Sequence, residues 1–197
     1  MEPADEYIFQ PRRGIRATLK KPSQKDGMTN AMAVVLMGVT GSGKTTVGEI
    51  LAERLGWSFL DGDDFHPQAN VAKMASGTPL TDEDRWPWLQ TLADELGSRI
   101  DRGDSCLLGC SALKGEYRNA LRGARSQQQV CFVHLTGSEA LIADRLAQRV
   151  HRYMPQSLLR SQFEALEPPQ DATVIDIDAT PEEIADRVIA ALNLQQS

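Results

Sequence analysis

Residues 38–45, Gly-Val-Thr-Gly-Ser-Gly-Lys-Thr, fit the pattern G-x-x-x-x-G-K-[ST], and their flanks leave the turn little choice of fold. Before it, Ala33-Val34-Val35-Leu36-Met37 is a continuous apolar run, the mark of a strand buried on both faces. After it, Val47, Ile50, Leu51 and Leu55 share one stripe of a helix expected from about Lys44 to Leu55, and Gly56 suits the position just past its end. Strand, glycine-rich turn and helix predict a phosphate-binding loop. The backbone of Gly38, Val39, Thr40, Gly41, Ser42, Gly43, Lys44, Thr45 and Thr46 is expected to curl around phosphate oxygens, with the helix N-terminus adding positive potential. Lys44 is expected to reach the β- and γ-phosphates and the Thr45 hydroxyl to ligate Mg²⁺.

Further strands are expected at Trp57–Leu60, ending at Asp61, and at Cys106–Cys110, Val130–Leu135 and Thr173–Ile177. Helical patterns separate them. Leu89, Leu92, Ala93, Leu96 and Ile100 repeat behind Pro87, which a first turn tolerates. Another helix is expected from about Ser138 to Val150, and Thr180-Pro181-Glu182-Glu183 opens a last one as a capping box. The alternation predicts a three-layer α/β/α fold with a central parallel sheet of about five strands. Ligands of such sheets lie beyond the carboxyl ends of the strands.

The 197 residues suit one domain with a tail, and 24% charged residues is ordinary for a globular chain. A net charge of −6 argues against a general nucleic-acid partner, which needs a surplus of Lys and Arg. Residues 1–30 hold six basic residues against four acids, so the rest carries −8. This leader has no sustained hydrophobic period and reads as a flexible extension, or as the product of a start site misplaced ahead of Met28 or Met32; residues 31–197 form the domain. Cys106, Cys110 and Cys131 lack metal or disulfide spacing and read as small buried hydrophobes. No apolar run approaches the ~20 residues of a bilayer span, so no membrane partner is expected and the cytoplasm is the default setting.

Several nucleotide-handling classes fit poorly. Gly41-Ser42-Gly43 begins a dinucleotide fingerprint and Asp61 lies 20 residues beyond Gly41, but Thr46 stands where the third glycine belongs. No asparagine is followed by lysine, so the N-K-x-D of a guanine-nucleotide switch is absent, and Leu107–Ser111 does not end in the acid a motor ATPase would show. Asp61-Gly62-Asp63-Asp64 instead puts three carboxylates at a strand's end beside the phosphate loop. Acids there repel phosphate unless they hold Mg²⁺ or the hydroxyl being phosphorylated. A solvated acidic turn is the other reading.

Gly38–Thr45 and Leu60–Pro67 resemble the small P-loop gluconate kinases. So do Asn70–Leu89 (Asn-Val-Ala-Lys-Met-Ala-Ser-Gly-Thr-Pro-Leu-Thr-Asp-Glu-Asp-Arg-Trp-Pro-Trp-Leu), Cys110–Arg118 and Ser161–Pro168. The resemblance spans about residues 33–195. It implies a fold of the nucleoside-monophosphate-kinase type with a helical lid at about 145–160. It also implies ATP-dependent phosphorylation of D-gluconate at its 6-hydroxyl to 6-phosphogluconate, and a homodimer. Related kinases close lid arginines over the phosphates, a role that falls here to Arg145 and Arg149; a basic helix end is the alternative. The family's histidine before the aromatic-Met pair is Arg152 here, with His151 one place earlier, so no histidine role carries over.

Gluconate needs a cation for its carboxylate and acceptors along its hydroxyls. Arg85 is a candidate bidentate clamp, with Lys114 and Arg118 as alternatives. Asp63 is expected at the attacked hydroxyl, as base or positioner, and His66 and Lys73 are further candidate binders. Each has a structural alternative: Arg85 in a pair with Asp82 or Asp84, Lys114 and Arg118 on a solvated helix face, Trp86 and Trp88 in packing. Two other functions stay open at this point, a kinase for another small hydroxylated acid such as shikimate and a nucleotide-binding regulator without phosphotransfer.

Overall fold

The computed structural model describes residues 31–148 and 156–195. The expected leader and the part of the lid carrying Arg149, His151 and Arg152 lie outside the described residues.

Five parallel strands, β1 (Ala33–Met37), β2 (Ser58–Asp61), β3 (Cys106–Gly109), β4 (Val130–Thr136) and β5 (Ala172–Asp176), form one sheet in the order β2-β3-β1-β4-β5. All five residues of β1 have 0% exposure, as its unbroken apolar run predicts. Their side chains alternate between two cores. Val34 and Leu36 pack with α1 (Lys44–Leu55), α5 (Glu139–Ala147) and α7 (Pro181–Leu192), whereas Ala33, Val35 and Met37 face α3 (Asp82–Asp101) and α4 (Gly115–Arg122). The three-layer expectation holds. Among the described residues, no helix is long and apolar enough to cross a membrane.

Helix α1 has the expected bounds, and Gly56 closes it in the left-handed region at φ 66°. Gly48, within α1, allows a close approach: a Cβ there would lie 2.2 Å from the Phe59 ring of β2. Helix α7 carries the expected capping box on Thr180 and Glu183.

Other boundaries differ. Helix α3 begins at Asp82 rather than behind Pro87, because Thr81 and Asp84 form a second capping box. Pro87 therefore lies in the second turn, where its missing N–H leaves one carbonyl of the exposed first turn without its helical donor. Helix α5 ends at Ala147, short of Val150. Cys106 and Cys110 are buried as expected, but Cys131 is half-buried with its thiol toward Gln127 O at 3.0 Å. Helices α2 (Gln68–Ala75), α4 and α6 (Gln156–Ala165) had no sustained apolar repeat to announce them.

Candidate active site

The strand order reverses at β1, with β3 on one side and β4 on the other, and the phosphate loop leaves the carboxyl end of this switch-point strand. Gly38 leaves the strand at φ 140°, and a Cβ there would meet Leu135 O at 2.6 Å, so only glycine fits. Gly43 caps α1 without a side-chain acceptor, the arrangement that leaves helix-terminal N–H groups for an anion. Lys44 Nζ donates to Gly38 O at 3.0 Å and to Val39 O at 3.1 Å, so its ammonium lies over the loop. Ser42 is fully buried, with its hydroxyl unpartnered.

Thr45 Oγ1 donates to Asp61 Oδ2 at 3.3 Å, joining the first turn of α1 to the end of β2. The other Asp61 oxygen accepts from the Asp63 N–H at 3.1 Å and so caps a tight 3₁₀ turn over Gly62–Phe65. This turn is why the strand stops at Gly62. Trp88 Nε1 donates to Gly62 O at 2.7 Å and pins the turn from below. Burial, and then the charge of Asp61, raise the Asp64 carboxyl above its ordinary range. A hydroxyl and a carboxylate this close are hard oxygen donors of the kind Mg²⁺ takes alongside phosphate oxygens and water. The fit is with one or two protein ligands; among the described residues no group of three or more His, Cys, Asp or Glu could hold a metal.

His66 stacks on Trp88 with ring centroids 4.2 Å apart, and its Nδ1 lies 3.4 Å from Asn70 Nδ2. Burial, followed by the positive charge of Arg85, lowers its pKa to about 4. It is therefore a neutral hydrogen-bonding group near pH 7, not a cation for a carboxylate.

The two cations that come together are Arg85 and Lys114. Lys114 Nζ lies 2.5 Å from Asp82 Oδ2, and Arg85 Nη1 is 3.5 Å from Asp82 Oδ1. The Tyr117 hydroxyl donates to the same carboxylate, and both cations lie near its ring, at 5.8 Å for Arg85 and 5.3 Å for Lys114. The Lys114 and Tyr117 hydrogen bonds hold the Asp82 carboxyl below its ordinary range, and the Asp82 contact raises the lysine. Trp86, 38% exposed, stands edge-on to Tyr117, whereas Trp88 is buried.

The remaining candidates go elsewhere. Lys73 bonds both oxygens of Asp84, at 2.6 and 2.8 Å, and ties α2 to the head of α3. Arg118 is not on a solvated face: it is 6% exposed, and its Nη1 donates to Ala112 O and Leu113 O. It supports the turn where Ala112 takes φ 44° just ahead of Lys114. Arg145, expected over the phosphates, donates to Ile177 O at 2.6 Å and Ala179 O at 3.1 Å after β5. At the far ends of α3 and α4 lies a depression of about 960 Å³, but each of its three arginines has an acidic partner, Arg125 with Asp101, Arg102 with Asp104 and Arg122 with Asp171.

A family model described as an AAA domain matches residues 34–169. A gluconokinase of Gluconobacter oxydans is 51% identical over 138 residues, 70% of this chain and 76% of that protein. A probable gluconokinase of Rattus norvegicus is 45% identical over 178 residues, 81% and 96% of the two chains. The crystal structure of a gluconokinase from Sinorhizobium meliloti superposes with a TM-score of 0.75 at 42% identity, covering 82% of this chain and 91% of that one. The chain belongs to the gluconokinase family.

For a gluconokinase-family chain, sequence reading passed over several residues that build this site. Asp82 was noted only as a partner for Arg85, yet it organises the whole cation cluster. Asp84, noted only as the alternative partner for Arg85, pairs with Lys73 instead, and Tyr117 and Gln162 carried no assignment. The one local signal was the Thr81–Asp84 spacing of a capping box, the same signal read correctly at Thr180.

Proposed function

We propose that the chain transfers the γ-phosphate of ATP to the 6-hydroxyl of D-gluconate, giving 6-phospho-D-gluconate and ADP. The observation that carries this reading is the pairing of Arg85 and Lys114 around Asp82 and Tyr117, at the head of the helix whose Trp88 pins the Asp63 turn. A sugar acid needs a cationic pocket at one end and a carboxylate near the hydroxyl at the other. The family supplies the reaction class; these residues supply the acceptor.

In this reading the phosphate loop holds the ATP phosphates, and Lys44 swings from its loop carbonyls to the β- and γ-phosphates. Thr45, with Asp61 beside it, would hold Mg²⁺, which when bound neutralises charge developing on the phosphates. Arg85 and Lys114 bind the gluconate carboxylate, while His66 offers a neutral hydrogen bond to a hydroxyl. Asp63 orients the 6-hydroxyl and accepts its proton as that oxygen bonds to the γ-phosphorus. The bond from that phosphorus to the bridging oxygen breaks, and ADP leaves in line. Lys73, Arg118 and Arg145 act through the backbone and side chains they hold. A lid over 145–160, a homodimer and a cytoplasmic setting belong to the same proposal, with the family resemblance as their support.

A coupled ADP-release assay over a panel of sugar acids and shikimate tests the reading. Gluconate-dependent release that disappears in Lys44→Ala is expected. Release with another acceptor alone, no release at all, or undiminished turnover in Lys44→Ala overturns it.

A further inference from the structure

One family-like stretch, Ser161–Pro168, has no part in the chemistry described above, yet its side chains reach both halves of the site. Gln162 grips the phosphate loop at two points. Its Oε1 accepts from the Thr40 N–H at 2.7 Å, and its Nε2 donates to Thr40 Oγ1 at 3.1 Å. Five residues on, Glu167 Oε2 accepts from the Gly115 N–H at 2.6 Å, and its own N–H donates to Leu113 O at 2.9 Å. Those bonds bracket Lys114. Between them, Phe163 packs on the core beneath α1 and α7, while Leu166 packs on the opposite core beneath α3 and α4. The stretch therefore crosses the sheet, fastened to the nucleotide side at Gln162 and to the sugar-acid side at Glu167.

We infer that Gln162–Glu167 is a strap that couples the two substrate sites, with Gln162 and Glu167 as positioning residues. The inference rests on the ATP and gluconate assignments proposed above. Ordering of the phosphate loop around a nucleotide fixes Thr40, hence Gln162, and through the short strap the turn that aims Lys114. The reverse holds with equal strength, because coupling between binding sites is reciprocal.

Calorimetry with Mg²⁺ and the non-hydrolysable analogue AMP-PNP reads this directly. In the wild-type protein each ligand is expected to tighten the other by the same factor, about fivefold or more. Gln162→Ala is expected to leave the Kd for gluconate alone unchanged, and Glu167→Ala the Kd for AMP-PNP alone. Both should bring the mutual factor to about one. A local structural role would instead weaken only the nearer ligand and leave the factor intact. Gln162→Glu keeps the volume and the acceptor for the Thr40 N–H, and serves if the alanine variant does not fold; it is expected to lower the factor part-way. A factor retained in these variants, or a wild-type factor of one, overturns the coupling while gluconate phosphorylation stands. A wild-type protein that neither binds nor phosphorylates gluconate overturns the functional reading and the coupling with it.

Discussion

Lys114 and Asp82, 32 residues apart in the chain, meet at 2.5 Å between the cap of α4 and the first residue of α3. The contact presets a cation beside Arg85 and offsets part of its charge. A substrate carboxylate then meets two donors already aimed, at a lower ordering cost than two free side chains would impose.

Removal of either cation should therefore be felt by one substrate only. A hydrogen bond between charged groups contributes about 1.5–3 kcal/mol, so Arg85→Ala and Lys114→Ala should each raise the KM for gluconate about 10- to 100-fold. The KM for ATP should stay near its wild-type value. Steady-state kinetics with each substrate varied in turn is the check, and equal losses for both substrates would contradict the assignment.

Asp63 sits on a turn held twice at its start, by Asp61 accepting from the Asp63 N–H and by Trp88 donating to Gly62 O. If it accepts the hydroxyl proton, Asp63→Asn should lower kcat by about 10²- to 10⁴-fold while ATP binding is kept. Near-normal turnover would remove its role.

The lowered pKa of His66 makes stability depend on pH. The unfolded chain takes up a proton near 6.5, whereas the folded protein resists it down to about 4. Across that window the unfolded state binds more protons, so stability falls as pH drops from about 6.5 to 4 and this contribution levels off below. Burial, and then Arg118, lower His134 in the same direction. Thermal melts should show Tm declining over the window, and His66→Phe, which keeps the stack on Trp88, should shallow the slope. An unchanged slope would show that His66 is not the group responsible.

Gly48→Ala tests the contact between α1 and β2. Alanine favours a helix over glycine by about 1 kcal/mol. The added Cβ, however, would stand 2.2 Å from the Phe59 ring. Overpacking of this kind costs about 1–3 kcal/mol and should win. Denaturant melts should show the variant destabilised, with Phe59→Leu recovering part of the loss in the double variant. A stabilised single variant would mean the ring moves aside freely.

Most of the sheet and the phosphate loop were legible because their signals are local. An unbroken apolar run specifies β1, and a glycine pattern between it and a striped helix specifies the loop. The acid turn was legible for the same reason: Gly62 marks the point where the strand gives way. The grip of Gln162 on Thr40 spans 122 positions, and Tyr117 reaches Asp82 across 35. No spacing rule encodes such a meeting; only the folded topology brings the partners together. Arg118 illustrates the limit. Its helical spacing from Lys114 was visible, but the inward aim of its guanidinium follows from the turn at Ala112, whose positive φ its neighbours do not announce.

The central place of β1 also bears on how the chain is made. Ala33–Met37 is translated before both of its partners, β3 and β4, so Met37 waits for His134, about 100 residues later, before its sheet is closed. At about 5–20 residues per second that delay is on the order of 5–20 s. During it, the most apolar strand of the fold has left the ribosome with at least its β4 edge unpaired, and before β3 emerges with both edges unpaired. Slow synthesis or a shortage of chaperones should therefore harm the yield of this protein before it harms its stability.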